Sequence, residues 1–142
     1  RKLFWETVKA PGFCRELPVL PCAKEAVAQL KEIADVVVVT SPMHSKTWHW
    51  ERLEWLHEFG IPHHDVIFAQ DKTLVHGDIL IDDKLSTIEA WTNKFTSSGG
   101  LLWDAPYNQA GSLPINALRV RSWTEVLISI MQKGRSCDTT RR

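Results

Sequence analysis

The stretch Gly77-Asp78-Ile79-Leu80-Ile81-Asp82-Asp83-Lys84 constrains the fold of this chain more than any other. Three aliphatic residues in succession between acidic neighbours read as a short strand buried on both faces, the habit of parallel sheets. Parallel strands cannot be joined by tight hairpins and require long, usually helical, crossovers. Two carboxylates stand where the strand ends, and open parallel sheets place ligands at the carboxyl ends of their strands. Oxygen ligands at that point suit a hard divalent cation such as Mg²⁺. Asp82 and Asp83 could equally start the next helix, because Asp caps helix N-termini well. Taken alone, the stretch leaves both readings open.

The rest of the chain supplies the crossovers. Val36-Val37-Val38-Val39 is a β-branched run that reads as a second fully buried strand, ending at Thr40-Ser41-Pro42. Further apolar runs at Val66–Ala69, Leu101–Trp103 and Ala117–Val120 read as strands. Between them, apolar residues recur at helical spacing over about 22–33, 46–59 and 84–94. A last helix opens on Ser122-Trp-Thr-Glu125, which has the form of a capping box. Residues 1–13 read as a short helix broken at Pro11-Gly12, with Phe4 and Trp5 expected in the core, and residues 104–116 as a loop. Strands alternating with helices imply an α/β, Rossmann-like fold, a parallel sheet covered by helices on both faces.

Composition excludes several classes of function. Lys+Arg and Asp+Glu balance at 17 each, so no net field draws the chain to nucleic acid or an anionic membrane. The basic residues Lys133, Arg135, Arg141 and Arg142 read as a solvated tail. No apolar run approaches the roughly 20 residues of a membrane span. Cys14, Cys22 and Cys137 are odd in number and widely spaced, which points to free thiols in a reducing, cytoplasmic setting. His63-His64 makes a poor metal site, since adjacent residues seldom converge on one ion.

Three strand ends or connections carry functional groups. Thr40 and Ser41 offer hydroxyls and backbone N–H groups suited to an anion, although a plain Ser/Thr turn before Pro42 would look the same. Lys72 offers an ammonium, and Asp82-Asp83 offer carboxylates. Side chains of successive strand residues point oppositely, so one carboxylate faces the site and the other orients a loop or water. Hydroxyl, ammonium and carboxylate together form a coherent set for phosphoryl transfer.

Val36 to Pro42, Lys72 and Ile79 to Asp83 resemble motifs II, III and IV of the haloacid dehalogenase (HAD) superfamily of phosphohydrolases. Pro18-Val-Leu-Pro-Cys-Ala23, Asp71-Lys72-Thr73 and Ser122-Trp123 are similar to segments of its 5'(3')-deoxyribonucleotidases. The resemblance implies a Mg²⁺-dependent hydrolase that removes phosphate from a nucleoside monophosphate through an aspartyl-phosphate. It implies that Thr40 and Ser41 bind the phosphate, with Thr40 and Lys72 catalytic and Lys72 also a phosphate ligand. Asp82 and Asp83 would hold the metal, while Phe13, Met43, His44 and Lys84 would approach the nucleoside. Residues 1–17 would be the end of a small helical cap, 18–134 the core, and 135–142 a polar tail. A small-molecule substrate, no nucleic acid, no membrane and a homodimer are compatible with this resemblance.

The sequence departs from the family in one motif that matters. No Asp-x-Asp-Gly occurs in the 142 residues, so neither the nucleophilic Asp nor its acid/base partner is present. In the family that motif ends a strand lying between those that here end at Thr40 and Asp82. The expectation is therefore that the polypeptide as made is longer at its N-terminus. The alternatives are an inactive HAD-like binding domain, or a HAD phosphatase for another small phosphoester. Cys22 stands where Gly is usual, and Lys84 where Arg is common, which weakens any bidentate contact.

Overall fold

The structure, a computed structural model, describes the backbone of residues 2–138 and the side chains of 2–134. It forms two compact units, one up to Asp71 and one from Lys72 onward.

The first unit runs α1 (Lys2–Lys9), α2 (Ala23–Lys31), β1 (Val37–Thr40), α3 (Trp48–Glu58) and β2 (Asp65–Phe68). β1 and β2 pair in parallel, Val37 opposite Asp65 and Thr40 opposite Phe68. The ladder continues past both ends, from the His64 N–H to the Val36 carbonyl (2.8 Å) and from the Ala69 N–H to the Thr40 carbonyl (3.0 Å). Val8, Cys14 and Trp48 form a buried cluster, with Phe13, Leu17 and Met43 packed around it. Burial pushes the Cys14 thiol above its ordinary value. The turn after α1 is held by the buried Glu51 of α3, whose carboxylate accepts the N–H groups of Gly12 (2.7 Å) and Cys14 (3.0 Å). Hydrogen bonding, from Gly12 first, keeps the Glu51 carboxyl below its ordinary value. The linker into α2 ends at Cys22 with φ 61°, a left-handed conformation that Gly adopts without penalty and a side chain resists.

The second unit runs β3 (Ile79–Asp82), α4 (Leu85–Lys94), β4 (Gly99–Trp103), β5 (Ala117–Val120) and α5 (Trp123–Asp138). Its strands are parallel in the order β3-β4-β5. A helical crossover joins β3 to β4, and α4 lies against the sheet where Gly100 leaves room; a Cβ there would stand 2.7 Å from Ile88 and 2.9 Å from Thr92. Ile88, Leu102 and Ala117 form one buried cluster of this unit, with Leu80, Leu85 and Leu113 around them. Parallel sheets flanked by helices make this a Rossmann-like α/β fold.

Several expectations are corrected. β1 and β3 are not buried on both faces: Val37 is 41 % exposed and Val38, Val39, Ile79, Leu80 and Ile81 are half-buried. The reason is pairing. Among the described residues β1 bonds to β2 alone and β3 to β4 alone, so each keeps an open edge. β4 lies between two neighbours, and there Leu101 and Leu102 are buried. Phe4 and Trp5 are exposed, because α1 turns only Val8 into the core of its unit. α5 runs through Gly134 to Asp138, since one helical glycine weakens a helix by about 1 kcal/mol without ending it. The last part of the tail, with Arg141 and Arg142, lies outside the described residues. The start of α5 is capped: Ser122 Oγ accepts the Glu125 N–H (3.2 Å) and Glu125 Oε2 accepts the Arg121 N–H (2.7 Å), one residue earlier than a capping box predicts.

Candidate active site

The carboxyl end of β3 holds the most developed polar arrangement. Asp82, the last strand residue, is only 7 % exposed. Its Oδ2 accepts from Lys72 Nζ at 2.6 Å and its Oδ1 from the Lys84 backbone N–H at 2.8 Å. Lys72 reaches it from a single turn of 3₁₀ helix over Lys72–Leu74. Breaking an ion pair with side chains this enclosed (18 % and 4 % exposed) strands a buried charge, a larger loss than at a surface pair. The structure thus brings Lys72, Asp82 and the Lys84 backbone together.

Asp83 points elsewhere. Its exposed carboxylate accepts the Tyr107 O–H, and its backbone carbonyl accepts Asn108 Nδ2 at 2.8 Å. The hydrogen bond to Asp83, followed by burial, pushes the Tyr107 phenol up to about 12. Asn108, in a 3₁₀ turn over Pro106–Asn108, is buried. Its Nδ2 also donates to the Trp103 carbonyl (2.7 Å), and its Oδ1 accepts from the Ala105 N–H (3.1 Å) and Arg119 Nη1 (2.7 Å). Arg119, on β5, binds Asp104 at 2.9 Å as well. Gln109 first, then Arg119, hold the Asp104 carboxyl below its ordinary value. The sequence alone reads 104–116 as an undifferentiated loop and 117–120 as a plain strand, which gives no role to Tyr107 and Asn108 or to Arg119. The available signal was a lone tyrosine beside Asn, just after a strand.

In the first unit, Thr40 ends β1, half-buried, with Ser41 following. Gln70 Nε2 donates to the Pro42 carbonyl, pinning the loop that follows. Met43 packs on the cluster that also holds Phe13, whose ring stacks on Trp48 at 6.4 Å and 23°. Two of the predicted nucleoside-facing residues therefore share one apolar cluster, whereas His44 is exposed. Glu51, which anchors the Phe13 turn, was also missed.

Among the described residues no group of three or more His, Cys, Asp or Glu side chains could enclose a metal. Mg²⁺ does not need such a cage, because one or two carboxylates with waters and substrate phosphate complete its shell. Asp82 fits that role, since each carboxylate oxygen keeps lone-pair capacity after its one hydrogen bond.

A family model described as "5' nucleotidase, deoxy (Pyrimidine), cytosolic type C protein" matches residues 1–135. The chain belongs to that family. It is 32 % identical over 126 residues to a 5'(3')-deoxyribonucleotidase of Clostridium acetobutylicum, covering 87 % of this chain and 64 % of that protein. It is 37 % identical over 102 residues to a Staphylococcus epidermidis protein provisionally named a 5'(3')-deoxyribonucleotidase, covering 68 % of this chain and 56 % of that one. A Bordetella parapertussis protein of the same provisional name is 35 % identical over 122 residues, 83 % of this chain and 63 % of its own. The chain spans between about half and two thirds of the length of these relatives. No helix among the described residues is long and apolar enough to cross a membrane.

Proposed function

We propose that the protein hydrolyses the phosphate monoester of a (deoxy)nucleoside monophosphate, Mg²⁺-dependent and through an aspartyl-phosphate whose Asp lies outside these 142 residues. The enclosed Lys72–Asp82 pair at the end of β3 is the observation that carries this reading. In it Lys72 offsets charge on the phosphoryl oxygens, and Thr40 and Ser41 donate hydrogen bonds to them. Asp82 would hold Mg²⁺, which supplies charge neutralisation at the phosphate when bound. Phe13 and Met43, which share one apolar cluster, would furnish apolar surface for the nucleoside, and His44 and Lys84 are proposed as further nucleoside contacts. Family membership and the names of the relatives support a monophosphate substrate. The test is phosphate release from a panel of nucleoside monophosphates and sugar phosphates by the full-length protein, with Mg²⁺ and with a chelator. Release confined to nucleotides, dependent on Mg²⁺ and abolished in Asp82→Ala and Lys72→Ala, is expected. Wild-type turnover in either variant refutes the role assignments.

A further inference from the structure

The turn that leaves β3 accepts a hydrogen bond from a side chain outside every motif discussed above. The peptide joining Asp83 to Lys84 is a rigid trans plane, as no cis bond occurs among the described residues. Its carbonyl and its N–H therefore point to opposite sides, and both are engaged. The Lys84 N–H donates to Asp82 Oδ1 at 2.8 Å, while the Asp83 carbonyl accepts Asn108 Nδ2 at 2.8 Å. Whatever holds the carbonyl sets the orientation of the N–H, and through it the carboxylate of Asp82.

Asn108 is built for that task. Its Nδ2 faces two carbonyls, those of Asp83 and Trp103, and its Oδ1 faces three donors, the Ala105 N–H, Arg119 Nη1 and, at 3.5 Å, Gln109 Nε2. That pattern allows only one orientation of the amide. Arg119 Nη2 adds a bond to the Asn108 backbone carbonyl at 2.9 Å. The side chain thus ties together the ends of β3 and β4 and is itself held from β5. Being buried, it has no water to replace a lost partner.

We propose that Asn108, clamped by Arg119, is a positioning residue that fixes the Asp83–Lys84 peptide and so aims the Asp82 carboxylate. This rests on the reading of Asp82 as a functional carboxylate. It acts through the peptide and has no part in the chemistry itself. Small displacements of a reacting or liganding group reduce turnover steeply, and supporting hydrogen bonds are worth about ten- to a hundredfold.

The discriminating variant is Asn108→Asp in the full-length protein. It keeps the volume and the acceptor facing Arg119 but removes both donors. Expected is a kcat lower by about ten- to a hundredfold with KM for the nucleotide little changed. Amide hydrogen exchange at Lys84 should accelerate while the Leu102 amide, in the core strand, stays protected. Asn108→Ala should match it in both readouts. Wild-type kcat and Lys84 protection in Asn108→Asp overturn the proposal, and so does loss of protection at Leu102 together with Lys84, which marks a general packing role. Should the wild-type protein hydrolyse no monophosphate, the functional reading fails by itself, and exchange at Lys84 still decides the positioning role.

Discussion

Replacing Lys72 by Met measures how strongly the end of β3 depends on its ion pair. The substitution keeps most of the length of the side chain but leaves the Asp82 carboxylate, 4 % exposed, without its cation. Breaking a buried pair by removing one member costs about 3–5 kcal/mol, because the remaining charge is uncompensated. Asp82 retains the Lys84 N–H at 2.8 Å, so the low end applies, about 3 kcal/mol. For a chain of this size that lowers the thermal midpoint by roughly 10 °C. Restoring neutrality should reverse the loss: Lys72→Met with Asp82→Leu exchanges a buried pair for apolar volume and should regain most of it. Calorimetry or circular dichroism on the single and double variants gives a cycle whose coupling should reach a few kcal/mol. A Lys72→Met midpoint within about 2 °C of the parent, or single effects that simply add, refutes the claim that the pair is enclosed.

Three further outcomes follow from particular residues. Cys22→Gly should stabilise the chain by about 1 kcal/mol in chemical denaturation, because it relieves a left-handed backbone at φ 61°. Glu51→Gln should destabilise by about 2 kcal/mol at neutral pH, the value of hydrogen bonds to a charged acceptor. Since the folded-state value of Glu51 is depressed, its contribution is present above the ordinary 4.5 and lost as pH falls through the folded value; stability-against-pH curves of parent and variant should therefore converge in acid. Tyr107 is the one tyrosine of the chain, so ultraviolet absorbance reports it alone. Without added Mg²⁺ it should ionise near 12, Asp83→Asn should bring it back toward 10, and the stability it adds should be present below 10 and fade as pH rises to 12.

Much of the framework was legible in the sequence because it depends on local pattern. Ala117–Val120 as a strand, the helix from Leu85 and the capped start at Ser122 all follow from runs, spacing and turn residues over a few positions. The same holds for the strand ends Thr40 and Asp82, and for the order of the motifs that signalled the family. Burial was less legible. The Val36–Val39 run suggests a fully enclosed strand, but enclosure depends on how many strands pair with it, and β1 has a single partner among the described residues.

Tertiary structure alone decided three things. It chose which acid faces Lys72: Asp82 and Asp83 are equivalent in the sequence, but the pleat turns one toward the ammonium and the other toward Tyr107. It gave Glu51 its role, by folding the Gly12–Cys14 turn back onto α3. It also made Asn108 the keystone of the β3 turn, since its partners come from Asp83, Trp103, Ala105 and Arg119 on different elements. The reason is common to all three. Apolar periodicity is written in neighbouring residues, whereas a buried hydrogen bond is defined by groups on different elements that only tertiary folding brings together.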